Sequence, residues 1–396
     1  MQLSEINQGF EQVFGVAATA NYFAPGRINL IGEHTDYNGG HVFPAAISLG
    51  TYAAVSTTAD QQLHLYSANF PDEGVREIAL SNLAFAKADG WTNFVKGEFA
   101  LLQQRGVTFE HGLNIYFYGN LPAASGLSSS SSIELLTGTI INETYALDQS
   151  ALTLIKLGQQ VENEYIGVNS GIMDQFAIGM GKKDQAIFLD TNTLDYQYYP
   201  IALDDYEIVI MNTNKPRALS DSKYNERRSE CETVLARLQK VVDIQSLGDL
   251  NIADFDEYAY AIGDETLLKR ARHAVFENQR TIKAAQALSD GDLARFGRLI
   301  NASHVSLEYD YQVTGLELDT LAHAAWAQTG VLGARMTGAG FGGCAIAVVK
   351  SADIPAFIAN VGQAYQAAVG YAASFYRAKI ADGPHRLNMT VDLEIE

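Results

Sequence analysis

The sequence predicts an α+β fold divided into two domains, and three observations support this prediction. The first half consists mostly of short β runs with glycine-rich connections, whereas the second half is dominated by long helical patterns. Strands and helices do not alternate as regular βαβ units, which disfavours a doubly wound sheet. The length of 396 residues leaves room for two or three domains.

The first half supplies three strands and three helices. Alternation or β-branching predicts strands at residues 42–47, 52–57 and 112–118. Apolar residues at helical spacing predict helices at residues 91–102, 129–145 and 150–165. We assign these elements to a first domain, residues 1–200.

The second half begins with a strand and then becomes helical. Strands are predicted at residues 207–212 and 344–349. Helices are predicted at residues 224–242, 265–287, 291–303, 316–329 and 354–369. Because Pro200 precedes a fresh strand, the second domain is placed at residues 201–396. No low-complexity linker separates the halves, so we expect a tight interface with a ligand cleft in it.

Composition narrows the functional classes. Twenty-seven basic and 46 acidic residues give a formal charge of −19, which disfavours sequence-independent binding to nucleic acids or anionic membranes. The two cysteines share no metal-type spacing and form no disulfide framework, which indicates a reducing compartment. The N-terminal residues have no signal-peptide pattern, and we expect a cytoplasmic protein.

A serine-rich segment, residues 121–134, follows a predicted strand and runs into a helix. Small side chains and a helix N-terminus suit a polyphosphate, although a flexible loop with an ordinary serine cap is the alternative. The chain has no Walker loop and no protein-kinase signature. Residues 338–343 satisfy Gly-x-Gly-x-x-Gly, but a β run follows these glycines, so the dinucleotide-binding interpretation fails. Two interpretations of this segment remain: a glycine hairpin that closes over phosphates, or a tight turn.

Two further segments carry acidic groups. Residues 24–40 place Glu33, His34 and Asp36 after an apolar run, which suits a hydroxylated ligand or, alternatively, a polar turn. Glu162 leans toward the apolar face of its predicted helix, where a carboxylate should pair with a cation. Asp174 lies between Met173 and Phe176 and is either a general base or a helix cap.

Taken together, these segments resemble the GHMP family of small-molecule kinases, in the family's order and over nearly the whole chain. Residues 26–38, Gly-Arg-Ile-Asn-Leu-Ile-Gly-Glu-His-Thr-Asp-Tyr-Asn, are similar to the signature of its galactose-phosphorylating branch. The other matching segments are the ATP loop at 126–130, the catalytic aspartate segment at 171–175, a sugar-contacting segment at 222–225 and the glycine-rich third motif at 338–343.

The resemblance implies a fold and a reaction. The N-terminal domain would be like domain 2 of ribosomal protein S5, the C-terminal domain would be ferredoxin-like, and both substrates would meet between them. The reaction implied is ATP-dependent phosphorylation of the C1 hydroxyl of α-D-galactose, with Mg²⁺ as cofactor. The family also suggests a monomer.

The resemblance also implies residue roles. Asp174 would be the base near the C1 hydroxyl, and Arg27 would hold its charge and stabilise the transferring phosphoryl group. The implied sugar-binding residues are Glu33, His34, Thr35, Asp36 and Tyr224. The implied ATP-binding residues are Ser67, Ala124, Ser125, Gly126, Leu127, Ser128, Ser129 and Ser130, with Trp91 near the adenine. Ser130 and Glu162 would hold Mg²⁺.

Three positions depart from the family pattern. Ala124 stands where the loop usually has glycine, Ser131 where it has alanine, and Ala339 where glycine is frequent. None of these removes a charged or metal-binding group, so we expect an active enzyme. Two alternatives stay open: a related sugar-1-kinase acting on N-acetylgalactosamine or arabinose, and a non-catalytic sensor of ATP and galactose.

Overall fold

The computed structural model describes residues 2–122, 125–216 and 220–388, with the side chains of 220–222 excepted. Its strands, in chain order, are β1 (Ala20–Asn29), β2 (His41–Val42), β3 (Pro44–Thr58), β4 (Gln62–Ser67), β5 (Arg76–Ala79), β6 (Gly112–Gly119), β7 (Gln185–Asp190), β8 (Tyr196–Pro200), β9 (Tyr206–Asn212), β10 (Val331–Thr337), β11 (Cys344–Lys350), β12 (Ser374–Arg377) and β13 (His385–Leu387).

The α-helices are α1 (Leu3–Phe14), α2 (Thr92–Gln104), α3 (Ser129–Thr144), α4 (Ala151–Gln160), α5 (Met173–Gly179), α6 (Ser220–Leu238), α7 (Ile252–Tyr258), α8 (Glu265–Ser289), α9 (Leu293–Ser306), α10 (Leu316–Trp326) and α11 (Ile354–Val369). Two π-helical segments, Val161–Ile166 and Leu307–Tyr311, directly continue α4 and α9. Single 3₁₀ turns lie at Asp36–Asn38, Pro71–Glu73, Lys87–Asp89, Leu247–Asp249, Ala259–Ala261 and Ser351–Asp353.

Five strands of the first half of the chain, together with β13 from residues 385–387, form a six-stranded sheet in the order β13-β1-β3-β6-β4-β5. Its strand pairs are antiparallel except β4 and β6, which are parallel. One face packs on helices α2 and α3, through Phe99 and Ile140 among others. Alternate residues of the strands face opposite sides, so Ala54 and Tyr116 pack on α1 through Phe10 instead.

The second half contains a four-stranded antiparallel sheet in the order β10-β11-β9-β12. Numbered within this half, the order is 2-3-1-4, with helices between the first and second strands and between the third and fourth. This is a ferredoxin-like topology, as the family resemblance implies. Helices α6, α8, α10 and α11 bury a large apolar cluster against the sheet.

The two halves share an apolar core. Ile28 and Phe43 from the first half pack in one cluster with Ile210, Ile300 and Ile346 from the second. The expected tight interface is therefore present. A small third sheet, β2-β7-β8, lies beside it. None of the described helices is long and apolar enough to cross a membrane.

Several differences from the predicted elements are informative. The β runs at 42–47 and 52–57 are not separate, because β3 runs from Pro44 to Thr58 without a break, while Val42 belongs to β2. The predicted helix over 150–165 ends in the π-helical turn that carries Glu162. The predicted glycine hairpin is confirmed between β10 and β11. The last strand, β13, pairs with β1, so the far end of the chain completes the first sheet.

Candidate active site

A cavity of about 160 Å³ lies between the two halves and gathers residues from the segments at 26–38, 171–175, 222–225 and 338–343, whereas the serine-rich segment contributes none of its described residues to the lining. Its lining residues are Arg27, Glu33, His34, Asp36, Glu162, Val168, Ser170, Gly171, Met173, Asp174, Tyr224, Gly338 and Ala339. Segments that are remote in the sequence therefore meet at one place. This convergence is what a shared binding site requires.

The floor of the cavity is an ion pair between Arg27 and Asp174. Arg27 Nε and Nη2 donate to the two Asp174 carboxylate oxygens at 2.7 and 2.8 Å, a bidentate geometry. The Arg27 side chain is 4% exposed, whereas 30% of the Asp174 side chain remains open to a ligand. Burial alone would lower the pKa of Arg27, but the charge and hydrogen bonds of Asp174, together with the charges of Glu33 and Asp36, outweigh it and raise that pKa. Arg27 is therefore a cation.

Local backbone geometry explains how Arg27 reaches this position. The β1–β3 register shifts between Pro25 and Gly26, a β-bulge that re-aims the strand. A Cβ on Gly26 would lie 2.8 Å from the Leu127 carbonyl oxygen, so only glycine lets the serine-rich segment approach here. The backbone N–H of Arg27 donates to the same carbonyl at 3.1 Å.

The serine-rich segment adjoins this pair. Arg27 Nη1 donates to the Gly126 carbonyl at 2.7 Å, and Ser128 Oγ donates to Asp174 Oδ2 at 2.5 Å. Helix α3 begins at Ser129, and its first turn carries no acidic residue. Because Ser128 turns its hydroxyl to Asp174 rather than capping the helix, the first amide groups of α3 stay available to an anion.

The other predicted ATP-binding residues have differing placements. Ser125 and Leu127 are buried, whereas Ser129 is exposed at the start of α3. Ala124 lies outside the described residues. Ser67 ends β4 and pairs with Phe117 of β6, and the Trp91 ring lies edge-on to the same Phe117 at 5.5 Å between centroids. Ser67 and Trp91 are thus both neighbours of Phe117, although neither lines the cavity.

Ser130 and Glu162 come together as predicted. Ser130 Oγ donates to Glu162 Oε1 at 2.9 Å, and Glu162 is 9% exposed. Burial raises the pKa of Glu162, and the nearby Asp174 charge adds to this. Among the described residues, no lysine or arginine pairs with this carboxylate. A buried carboxylate with a hydroxyl beside it and no protein cation fits Mg²⁺, which prefers oxygen ligands.

Glu33 is fully buried in a network that joins the two halves. It accepts hydrogen bonds from Asn29 Nδ2 at 2.8 Å and from the Gly338 backbone N–H at 2.7 Å, and Arg335 Nη1 lies 3.4 Å away. Burial raises the pKa of Glu33, and the charges of Arg335 and Arg27 oppose the shift. The network ties the sugar motif to the glycine-rich hairpin.

His34 and Thr35 are held by the protein itself. His34 adopts a left-handed backbone conformation, φ 59°, and its Nδ1 and Nε2 lie 2.8 Å from the Tyr37 hydroxyl and 3.1 Å from the Ala339 carbonyl oxygen. Burial lowers the pKa of His34 to about 3, so the ring is neutral at physiological pH. The Thr35 hydroxyl lies 2.7 Å from the Gly32 and His41 carbonyl oxygens, and the structure does not bring it to the cavity.

Asp36 and Tyr224 form the opposite wall. A Cβ on Gly171 would lie 1.7 Å from Asp36 Oδ2, so the carboxylate occupies the space that a side chain would take. Burial, with the Asp174 charge second, raises the pKa of Asp36 to about 6. Burial also raises the pKa of Tyr224 well above 10, so its hydroxyl is protonated. The ring of Tyr224 lies 5.6 Å from that of His34.

Sequence reasoning missed two contributors. Arg335 is fully buried beside Glu33. The sequence feature that could have indicated it is a single arginine within an apolar β run. Gly171 was quoted only as part of a motif, although the close approach of Asp36 makes it necessary. Asp174 is the second residue of α5 and bonds to Arg27 and Ser128, so it does not cap that helix.

Comparisons with known proteins identify the family to which the chain belongs. Three family models match: the galactokinase galactose-binding signature at residues 8–57, the GHMP kinases N terminal domain at 93–182 and the GHMP kinases C terminal region at 282–367. The mevalonate kinase of Methanococcus jannaschii superposes with a TM-score of 0.66 at 17% identity, covering 91% of this chain and 98% of that one, which supports the fold alone. The chain is a small-molecule kinase of the GHMP class.

The sequence relatives narrow this assignment. The galactokinases of Levilactobacillus brevis and Streptococcus suis are each 60% identical, over 387 and 388 residues, covering 98% of this chain and 100% of each relative. The structure of Lactococcus lactis galactokinase complexed with galactose superposes with a TM-score of 0.95 at 54% identity, covering 97% of this chain and 100% of that one. Within the GHMP class, the chain belongs to the galactokinase family.

Proposed function

We propose that the protein transfers the γ-phosphoryl group of ATP to the C1 hydroxyl of α-D-galactose, giving galactose 1-phosphate and ADP. The observation that carries this proposal is the bidentate Arg27–Asp174 pair at the floor of a cavity with Glu33, Asp36 and Tyr224 in its walls. The match to a galactokinase that was crystallised with galactose supports the choice of sugar.

Asp174 accepts the hydrogen bond of the C1 hydroxyl and aims its oxygen at the γ-phosphorus. Held by Arg27, Asp174 orients the hydroxyl and takes its proton as the new P–O bond forms. Arg27 also lies where negative charge grows on the transferring group, and a fixed cation there lowers the barrier. Ser128 holds the second carboxylate oxygen in place.

The sugar is held by groups that match its hydroxyls. Glu33, Asp36 and Tyr224 offer two carboxylates and a phenol around the cavity. An ionised carboxylate accepts hydroxyl hydrogen bonds strongly, which suits a polyol. Amide groups from Ser125 to Ser130, at the start of α3, would cradle the ATP phosphates. We also assign Ala124, Ser67 and Thr35 to these sites, on the resemblance alone.

Mg²⁺ is the cofactor we propose, held by Ser130 and Glu162. When bound, it neutralises phosphate charge and orients the nucleotide. The residues of the chain do the rest: they bind the sugar, exclude water from the cavity and place the acceptor hydroxyl.

One experiment distinguishes the proposed function from two alternative functions. A kinase for N-acetylgalactosamine or arabinose would have the same fold, and a sensor would bind both ligands without turnover. The presence of Arg27, Ser130, Glu162 and Asp174 together favours a catalyst. An ADP-release assay over galactose, N-acetylgalactosamine, arabinose and glucose tests this. Galactose should stimulate ADP release most, and the absence of any sugar-stimulated ADP would contradict the proposal.

Three broader properties are also proposed. We place a domain division near residue 200, with the qualification that β13 belongs to the first sheet. We propose a cytoplasmic monomer with small-molecule partners only. Cys231 and Cys344 are both buried and are not joined in a disulfide, which is compatible with a reducing compartment.

A further inference from the structure

A line of hydrogen bonds runs from the second half of the chain into the wall of the cavity. Cys231 Sγ lies 3.2 Å from the Tyr311 hydroxyl, which lies 2.7 Å from the Tyr37 hydroxyl. Tyr37 lies 2.8 Å from His34 Nδ1, and His34 Nε2 lies 3.1 Å from the Ala339 carbonyl oxygen. Cys231 is 2% exposed, Tyr311 0% and His34 5%, whereas Tyr37 is half-buried.

The direction of every bond follows from the last one. The Ala339 carbonyl can only accept, so His34 Nε2 carries a hydrogen and donates it. The ring is neutral, so Nδ1 has a lone pair and accepts from the Tyr37 hydroxyl. Tyr37 has then used its hydrogen and accepts from Tyr311, which in turn accepts from the Cys231 thiol. The chain is one-way from Cys231 to Ala339.

Both ring nitrogens of His34 are therefore committed to the protein. The ring lines the cavity, but it offers no free donor or acceptor to a sugar hydroxyl. What it does offer is a fixed link between the sugar motif on the first half and the glycine-rich hairpin that begins at Gly338. Glu33 makes a parallel link by accepting from the Gly338 N–H. These two hydrogen-bonded links, from His34 and from Glu33, both join the first half of the chain to the second half at the wall of the cavity.

We propose that Tyr37 and Tyr311 are positioning residues for the sugar cavity, which hold His34 as the Nε2–H tautomer and thereby hold Ala339 at the cavity wall. This inference rests on the proposed function, because it assigns these residues to galactose binding rather than to ATP binding or phosphoryl transfer. Neither tyrosine belongs to the implied ligand-binding set. Their hydroxyls act through His34.

The surroundings of His34 keep the ring neutral. The groups that face it are the rings of Tyr37, Tyr224 and Tyr311 together with the charged or titratable His273, Arg227 and Arg335. Glu33, Asp36 and Asp174 line the same cavity, but within the described residues no hydrogen bond joins a carboxylate to the ring. A hydrogen bond donated to Nδ1 further disfavours protonation at that atom. Burial is the largest cause of the low pKa, so the ring stays neutral without the Tyr37 donor as well.

The test compares Tyr37→Phe and Tyr311→Phe with a matched control, Tyr145→Phe, whose hydroxyl donates to the His111 carbonyl far from the cavity residues. The KM for galactose should rise about 3- to 10-fold in Tyr37→Phe, the usual effect of losing one buried neutral hydrogen bond. The rise should be smaller in Tyr311→Phe, since Tyr37 can still donate to His34. The KM for ATP and kcat should change less than about twofold.

The Nδ1 resonance of His34 separates positioning from simple packing. In Tyr37→Phe the ring should stay neutral from pH 7 to 5.5, because burial holds its pKa far below this range. Its Nδ1 resonance should nevertheless move, because the hydrogen bond from Tyr37 is lost, and the KM for galactose should be raised at both pH values. Ring ¹⁵N spectra, with His34 assigned by comparison with His34→Gln, should find wild-type Nε2 protonated and Nδ1 unprotonated over this range. Thermal unfolding followed by circular dichroism checks that each variant folds. If Tyr37→Phe does not fold, the galactose KM of Tyr311→Phe is compared with that of Tyr145→Phe instead.

Two results would overturn the inference. One is a wild-type His34 that carries its hydrogen on Nδ1. The other is a folded Tyr37→Phe whose galactose KM matches that of Tyr145→Phe at both pH values. By contrast, a wild type without galactose-stimulated ADP release would contradict the proposed function, and the ¹⁵N spectra would still decide on the hydrogen-bond chain.

Discussion

Arg27 on β1 and Asp174 on α5, which are 147 positions apart in the chain, hold each other through two N–H···O bonds of 2.7 and 2.8 Å. A bidentate pair fixes the plane of the carboxylate as well as its position. Ser128 adds a third bond to the same carboxylate. The acceptor for the sugar hydroxyl is therefore oriented before any ligand binds, which reduces the cost of reaching a reactive geometry.

Asp174→Asn should lower kcat by at least about 100-fold, the usual contribution of a general base. The amide is nearly the same size, so ATP affinity should change little. Rates of ADP release and calorimetric titration with ATP measure the two effects. The exposed Asp243→Asn serves as the control and should be unaffected. Near-normal turnover of Asp174→Asn would remove Asp174 from its catalytic role.

Glu162→Gln should raise the Mg²⁺ concentration needed for half-maximal activity by about tenfold or more, because a neutral amide is a poorer ligand for a hard cation. Glu164→Gln, two residues further along the same π-helical turn but exposed, is the matched control. A magnesium titration of ADP release compares them. An unchanged magnesium midpoint in Glu162→Gln would place the metal elsewhere.

Galactose binding should weaken as the pH falls through about 6, where the raised pKa of Asp36 lies. The protonated carboxyl loses its strong acceptor character, so the KM for galactose should rise about tenfold between pH 7 and 5 if only the ionised form binds. Asp36→Asn should have a high KM that is nearly flat over this range. A wild-type KM that stays constant from pH 7 to 5 would exclude Asp36 as the ionised sugar ligand.

The raised pKa of Asp36 also predicts how the stability of the fold depends on pH. Its folded pKa lies above the unfolded value of 3.8, so ionising Asp36 costs folding free energy. The stability that Asp36 contributes at pH below 3.8 is lost as the pH rises through about 6. Asp36→Asn should therefore unfold at a higher temperature than the wild type at pH 8, and the difference should shrink towards pH 4. Equal unfolding temperatures at pH 8 would contradict the buried charge.

Gly171→Ala should raise the KM for galactose about tenfold or more, because its Cβ would displace the Asp36 carboxylate. The KM for ATP should stay within about twofold of the wild type. Gly362→Ala in α11 is the control, since its Cβ would meet only the Phe375 ring, at 3.4 Å or beyond. Normal galactose kinetics in Gly171→Ala would mean that Asp36 has room to move.

Much of the fold could be predicted from the sequence because many of its helices and strands have clear local patterns of apolar residues. The strand at 112–118 and the helix at 354–369 match β6 and α11 closely, since alternation and helical spacing are strong there. The single strand β3 could not be foreseen, because Gly50 looks like a break. In the structure a Cβ on Gly50 would lie 2.2 Å from the Ala24 carbonyl oxygen, so that glycine serves close packing, not a turn.

The sequence could predict several residues of the site, but not the hydrogen bonds and packing contacts that these residues make. The motifs named Arg27, Glu162 and Asp174, and the structure brings all three to one cavity. The sequence could not place Thr35, whose hydroxyl bonds to backbone carbonyls. The π-helical turn at Glu162 has no local signal, because it depends on packing between α4 and its neighbours. Long-range contacts of this kind are set by the whole fold.

The pairing of β13 with β1 has a consequence for how the protein is made. The edge of the first sheet is filled by residues 385–387, which leave the ribosome after nearly all of the chain. Leu387 also packs with Leu3 and Phe23, so the opening helix lacks part of its contact surface until then. A nascent chain that stalls after β12 would expose the backbone of β1 as a free edge, open to a second, equally incomplete copy.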